Sequence, residues 1–271
     1  MPIKELENLA RKVRLHSTRM ISKAKSSHLG GNFSMAEIVA VLYGKILNVS
    51  PERLDDPERD RFVLSKGHAA AGYYAVLAEC GFFPIEWLDS FYVDGAKLAG
   101  HATRGIPGIE VSSGALGHGL PIAVGMALAA KRNEKKHRVF ALLSDGECNE
   151  GSVWEAAMLA AQQKLDNLVC IVDYNKIQAL GYTKDICDLE PFGDKWNAFG
   201  WNVREVDGHN IETLIETFES IPFQPGRPNC VIAHTVKGKG VGFMEDQLLW
   251  HYRSPQGEEY ENAMKELEVA I

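Results

Sequence analysis

Apolar and polar positions along this chain switch between two periods. From residue 4 to 23 the apolar positions Leu6, Leu9, Val13, Met20 and Ile21 recur at helical spacing in a polar stretch, which predicts an amphipathic helix. Ser34 with Glu37 has the spacing of a capping box and predicts a helix to about Leu47. Short apolar runs then alternate with longer helical segments. Strands are expected at 61–65, 138–143, 168–173, 201–206 and 229–235, and helices at 68–79, 120–131, 151–163, 192–199 and 210–220. Pro84 opens a short helix through Phe91, and an amphipathic helix spans 258–271. Residues 94–118 and 174–190 read as loops; the first is glycine-rich and aperiodic, and a loop of that length inside a compact domain is usually functional. The alternation predicts an α/β fold, with an open, mostly parallel sheet flanked by helices and right-handed crossovers.

Length and composition narrow the class. A chain of 271 residues can bury one large core and form a single domain over 1–271. Apolar content of 45% and charged content of 24% are ordinary for a globular protein. The net charge of −7 gives no reason to expect nucleic acid or an anionic membrane as partner. No apolar run reaches the length of a membrane span, and the charged start Met1-Pro2-Ile3-Lys4-Glu5 lacks the apolar core of a signal peptide. The five cysteines are scattered without a CxxC, so neither a disulfide framework nor a zinc site is expected, and a cytoplasmic location fits.

Candidate chemistry concentrates where two strands end. Phe140 to Leu143 leads into Ser144-Asp145-Gly146-Glu147-Cys148-Asn149-Glu150-Gly151, and Leu168 to Val172 leads into Asp173-Tyr174-Asn175-Lys176-Ile177. If the two strands are parallel neighbours, Asp145 and Asn175 meet at the carboxyl edge of the sheet, where open α/β folds bind ligands. One carboxylate, one amide oxygen and the Ile177 carbonyl make an oxygen set suited to Mg²⁺, or to Ca²⁺ or Mn²⁺, with positions left for phosphate oxygens and water. Gly146 removes a Cβ where a diphosphate would approach the backbone. Taken singly, Asp145 is equally a helix N-cap and Gly146 ordinary turn chemistry. The joint spacing is what raises them above that.

These residues resemble the thiamine diphosphate motif: Asp-Gly, then Glu-Gly, then Asn-x-Ile some thirty residues on. Ser27 to Gly31, Leu64 to His68, Gly100-His101, Gly108 to Gly119, Lys237 to Val241 and Trp250-His251 follow in an order similar to the N-terminal, diphosphate-binding half of transketolase, over about residues 10 to 255. The resemblance implies the thiamin diphosphate-binding fold in its diphosphate (PP) form. It implies thiamine diphosphate bound through His68, Gly114, Leu116, Asp145, Gly146, Glu150, Asn175 and His251, with the metal on Asp145, Asn175 and Ile177. Gly114 would touch phosphate, Leu116 would pack on the ring system, and Glu150 would lie at a subunit interface. His28, His68, His101 and His251 match the family's active-site histidines. His68 and His251 would lie near the diphosphate and the reacting carbons, and His28 and His101 near substrate hydroxyls. Lys237 has a family role near the cofactor. His118 stands where much of the family has Gln, and Ser144 where it usually has Gly. His16, His137, His209 and His234 read as ordinary structural histidines.

The family's pyrimidine-binding and C-terminal domains, the first carrying the glutamate that activates the thiamine ring, have no counterpart here. The resemblance therefore implies the N-terminal subunit of a split transketolase, transferring a two-carbon ketol unit from a ketose phosphate to an aldose phosphate. Its expected partners are a subunit carrying the pyrimidine-binding domain, sugar phosphates, and a second copy in a heterotetramer. An α subunit of a 2-oxo acid dehydrogenase and a non-catalytic stabilising partner of a full-length enzyme stay open as alternatives, as does an unusual sulfo- or branched-chain ketose.

Overall fold

The computed structural model describes residues 1–269. Among the described residues seven strands occur in chain order: β1 (Arg61–Leu64), β2 (Val139–Ser144), β3 (Leu168–Tyr174), β4 (Ile177–Gln178), β5 (Gly181–Tyr182), β6 (Asn202–Asp207) and β7 (Asn229–His234). The helices are α1 (Ile3–Ala24), α2 (Leu29–Ser34), α3 (Ala36–Val41), α4 (Ala70–Glu79), α5 (Gly119–Arg132), α6 (Gly151–Gln162), α7 (Thr183–Ile186), α8 (Phe192–Ala198), α9 (Ile211–Glu219) and α10 (Glu258–Val269). Five strands form one sheet in the order β1-β2-β3-β7-β6, all parallel, and β4 and β5 make a separate antiparallel hairpin.

β2 and β3 are buried at every residue, which is why they read as unbroken apolar runs: parallel strands are covered on both faces. Their alternation divides two cores. Phe140, Leu142, Val169, Ile171 and Val231 pack with α1, α3, α4 and α9; Val139, Ala141, Leu143, Cys170, Val172 and Ile232 pack with α5, α6 and α8. Because every strand of the sheet runs the same way, the segments after β1, β2, β3 and β7 all leave from one edge. Among the described residues no helix is long and apolar enough to cross a membrane.

The expected fold class and strand positions match, each strand within one or two residues. Three expectations need correction. The loop at 174–190 contains the β4–β5 hairpin and the one-turn α7. The helix placed at Pro84–Phe91 is a tighter 3₁₀ segment, Ile85–Ser90. Where a helix is expected from Ser34 to Leu47, α2 ends at Ser34, α3 covers only Ala36–Val41, and a widened turn follows, closed by Leu47 N–H on Leu42 O at 2.8 Å. The end of the helix expected at 258–271 lies outside the described residues.

The proposed capping box fails for a tertiary reason. Ser34 ends α2 rather than capping a helix, and Glu37 turns into the core. Both terminal nitrogens of the Arg14 guanidinium donate to the Glu37 carboxylate at 2.6 Å, and His209 Nδ1 lies 2.9 Å from it. The Val236 N–H donates to His209 Nε2 at 2.8 Å, so Nδ1 is the nitrogen that carries a proton and donates to Glu37. Burial pushes the Glu37 carboxyl up, but the Arg14 charge and the bonds from Arg14 and His209 outweigh it and bring it down to about 2. The folded value is below the ordinary 4.5, so this contribution is complete above about pH 4.5 and fades as pH falls toward 2. Glu37→Ala should cost roughly 3–5 kcal/mol in urea unfolding at pH 7, because it leaves the Arg14 charge buried and unpaired. An unchanged urea midpoint would show that the pair contributes nothing.

Candidate functional site

Ser144 and Asp173 are partners in the β2–β3 register, so Asp145 and Asn175 leave adjacent strands at the same edge. There a cavity of about 340 Å³ opens. It is lined by every residue singled out above for catalysis, cofactor or metal: His28, His68, His101, Gly114, Leu116, Asp145, Gly146, Glu150, Asn175, Ile177 and His251. Residues separated by more than two hundred positions thus meet in one place. Lys66 and Lys237 join them. His118 does not line the cavity; its Nδ1 lies 3.0 Å from the Leu116 carbonyl.

The three expected oxygen donors have a definite arrangement. Asp145 is 1% exposed; its Oδ1 accepts from Gly146 N–H at 2.6 Å and its Oδ2 from Lys176 N–H at 2.5 Å. Lys176 holds a left-handed backbone (φ 68°), a conformation that costs a side-chain-bearing residue of order 1 kcal/mol and is held here by the bond to Asp145. Asn175 Oδ1 accepts from Ile177 N–H at 3.1 Å. The Ile177 carbonyl accepts from the Lys237 ammonium at 3.0 Å. A buried cation thus already touches one of the three oxygens. Burial and the nearby Asp173 raise the Asp145 carboxyl to about 6, and burial lowers Lys237 to about 8. A divalent cation would favour the ionised Asp145 carboxylate and would disfavour the Lys237 ammonium further. The donor set is hard oxygen throughout, and the residues fit Mg²⁺, Ca²⁺ or Mn²⁺. Among the described residues there is no cluster of three or more His, Cys, Asp or Glu to suit a softer metal.

Glycine is required at two of the lining positions. A Cβ on Gly146 would stand 2.8 Å from Gln178 Cβ, so the hairpin as well as any ligand demands its absence. Gly114 has φ +146°, and a Cβ there would come within 3.2 Å of the His101 ring.

The histidines form one group. The rings of His28 and His68 are 5.1 Å apart, those of His28 and His251 5.3 Å, and those of His68 and His251 stack at 6.2 Å. His28 N–H donates to the His251 carbonyl at 2.8 Å, which joins the two segments. Lys237 Nζ lies 3.0 Å from His251 Nδ1; an ammonium only donates, so Nδ1 is the acceptor and a neutral ring carries its proton on Nε2. Burial, then neighbouring positive groups, lower His28 to about 4 and His251 to about 3, and drive His68 well below its ordinary value. These imidazoles are neutral near pH 7, able to donate or accept at substrate hydroxyls. Of the two lysines lining the cavity Lys66 is paired with Asp173, and Asp145, Glu147 and Glu150 line it too, so an anionic ligand would need a divalent cation as its counter-charge.

Four contributors were not assigned from the sequence. Lys66 and Asp173 form an ion pair with both side chains fully buried. A carboxylate ending an apolar strand is a signal that it needs a buried cation. Glu147, 0% exposed, accepts from Ser65 Oγ, from Gly117 N–H at 2.8 Å and from Ser144 N–H at 3.2 Å, and so ties the glycine-rich loop to the ends of β1 and β2. Its position between two recognisable pairs carried no spacing signal. Tyr252 lines the cavity mouth with its ring 4.8 Å from that of His251.

Comparison with known proteins follows the same lines. Residues 6–267 match the family model described as transketolase, thiamine diphosphate binding domain. An apulose-4-phosphate transketolase subunit from Actinobacillus succinogenes is 46% identical over 266 residues, covering 97% of this chain and 96% of that one. The 6-deoxy-6-sulfo-D-fructose transketolase subunit SqwG of a Clostridium species is 41% identical over 265 residues, with 97% and 96% covered. Among solved structures, the transketolase of Leishmania mexicana superposes with a TM-score of 0.90 at 29% identity, covering 97% of this chain and 41% of that one. That of Campylobacter jejuni gives 0.89 at 31% identity, covering 99% and 43%. The chain therefore spans less than half the length of those two transketolases, but nearly the full length of the two subunits.

Proposed function

From the premise that the chain belongs to the transketolase family through its thiamine diphosphate-binding domain, we propose that it is the diphosphate-binding subunit of a split transketolase. The observation that carries this reading is the convergence of the oxygen donors, the glycine loop and the histidines on one cavity. Two relatives matched over 96% of their own length are named as transketolase subunits, which supports a separate partner. The whole of residues 1–271 would be one diphosphate domain, and the pyrimidine-binding domain would come from that partner.

In this proposal Asp145, the Asn175 amide oxygen and the Ile177 carbonyl hold the divalent cation, Mg²⁺ or in its place Ca²⁺ or Mn²⁺. Gly114 admits phosphate to the backbone, Leu116 packs on the ring system, and Gly146 leaves the backbone open to the diphosphate. Thiamine diphosphate, when bound, supplies the stabilised carbanion for transfer of a two-carbon ketol unit. His68 and His251 serve the reacting region, and His28 and His101 the hydroxyls of a sugar phosphate. Burial keeps His28, His68 and His251 neutral, so each of these three can shift a proton to or from a hydroxyl as charge develops.

α5 and α6 carry the exposed apolar residues Ile122 (38%), Met158 (54%) and Leu159 (46%), and Glu150 opens α6 beside the cavity. Exposed apolar side chains on neighbouring helices favour self-association, giving a heterotetramer with the partner. A cytoplasmic location fits the same reading.

The test is a coupled ketose–aldose assay with Mg²⁺ and thiamine diphosphate. The chain alone should give no turnover. Adding the pyrimidine-domain subunit should raise turnover until the two are equimolar. Turnover by the lone chain at a rate the partner leaves unchanged would overturn the split-enzyme reading.

A further inference from the structure

Ser34 places its hydroxyl between two side chains at the sheet edge. Its Oγ lies 2.6 Å from Asp173 Oδ2 and 3.3 Å from Asn175 Nδ2, and both Ser34 and Asp173 are fully buried. The direction of these two bonds follows from their neighbours. Lys66 donates to the same Asp173 oxygen, and the Thr235 hydroxyl donates to the other. Asp173 is therefore a carboxylate, and a carboxylate only accepts. The hydroxyl has one proton. The other acceptor in reach, the Gly31 carbonyl, is farther at 3.3 Å and already takes the Lys66 ammonium at 2.9 Å. The proton goes to the charge, where the bond is shorter and stronger. What Ser34 offers Asn175 is then a lone pair, and only the amide NH₂ can bond to it. A flipped amide would set oxygen lone pairs against each other where both side chains are buried.

We propose that Ser34 is a positioning residue which, backed by the buried Lys66–Asp173 pair, turns the Asn175 amide so that its oxygen is left for the divalent cation. That oxygen takes one N–H, from Ile177, and keeps a second lone pair. An NH₂ in its place would repel the cation. The proposal rests on the cation-site reading above. It also explains why a serine and two charged groups are buried together behind the cavity, at a cost that no packing need demands.

The experiment is a Mn²⁺ titration in the presence of thiamine diphosphate, read by paramagnetic resonance of free Mn²⁺. It uses the chain assembled with its pyrimidine-domain subunit. Ser34→Ala, and Ser34→Cys, which fills the same space with a weak partner for both neighbours, should each weaken Mn²⁺ binding about 10–100-fold. Ser34→Thr, which keeps the hydroxyl, should bind within a few fold of the wild type. A merely structural serine would lower the melting temperature and leave the affinity of the folded protein alone. Asp145→Ala separates the two readings. If it abolishes Mn²⁺ binding while Ser34→Ala and Ser34→Cys bind as the wild type does, the orienting role is wrong and the cation site stands. If Asp145→Ala itself binds normally, the site and the role of Ser34 both fall.

Discussion

Asp145→Ala should abolish cation-dependent binding of thiamine diphosphate by the assembled protein. Asp145 is the one carboxylate among the three oxygen donors, the others being a neutral amide and a neutral carbonyl. Loss of an outer partner of a metal site typically costs about 10–100-fold in affinity, and loss of the charged ligand should exceed that. The substitution also leaves Gly146 N–H and Lys176 N–H without their acceptor, and so loosens the left-handed turn that precedes Ile177. Asp145→Asn tells these apart: it keeps an acceptor for one N–H and the shape of the side chain, but drops the charge. Both variants should bind at least 100-fold more weakly by calorimetry with Mg²⁺, with the alanine variant the less stable in a thermal melt. Wild-type affinity in either would show that the cation is held elsewhere.

His68→Ala and His251→Ala should lower turnover of the assembled enzyme by about 10²–10⁴-fold, the usual scale for removing a positioned proton donor or acceptor. Folding should suffer much less. Both rings face the cavity and each other rather than the two apolar cores, and neither belongs to those clusters. Because burial and the neighbouring lysines keep both neutral near pH 7, their removal takes away no charge from the cavity. The fall should therefore appear in kcat, with the affinity for thiamine diphosphate changed far less. If either variant loses its thermal transition while its folded fraction turns over at the wild-type rate, the catalytic role is wrong.

The periods of the chain determined more of this protein than any one motif. Strands that are apolar throughout had to lie inside a sheet covered on both sides, and their alternation with helices required parallel connections. Once β2 and β3 run in parallel, Asp145 and Asn175 must emerge together at one edge. His68 and His101, each beside a glycine, were legible for a related reason: polar residues in glycine-containing loops, outside the helical and strand periods, have no core to serve, whereas His28 and His251 have no glycine neighbour and were legible through the order of the matched segments.

Only the tertiary structure decided which local signals to override. Ser34 and Glu37 have the spacing of a capping box, yet Glu37 answers to Arg14 and His209, and Ser34 to Asp173 and Asn175. The sequence pattern is the same whether a serine caps a helix or orients an amide. Lys66 with Asp173, and Glu147 with Gly117, are in the same position: each pair is far apart along the chain and meaningless until the sheet brings it together. The physical reason is that apolar burial depends on periodicity, which is local and repeats along the chain. A buried charge or hydroxyl is instead satisfied by one particular partner, and that partner is chosen by the fold.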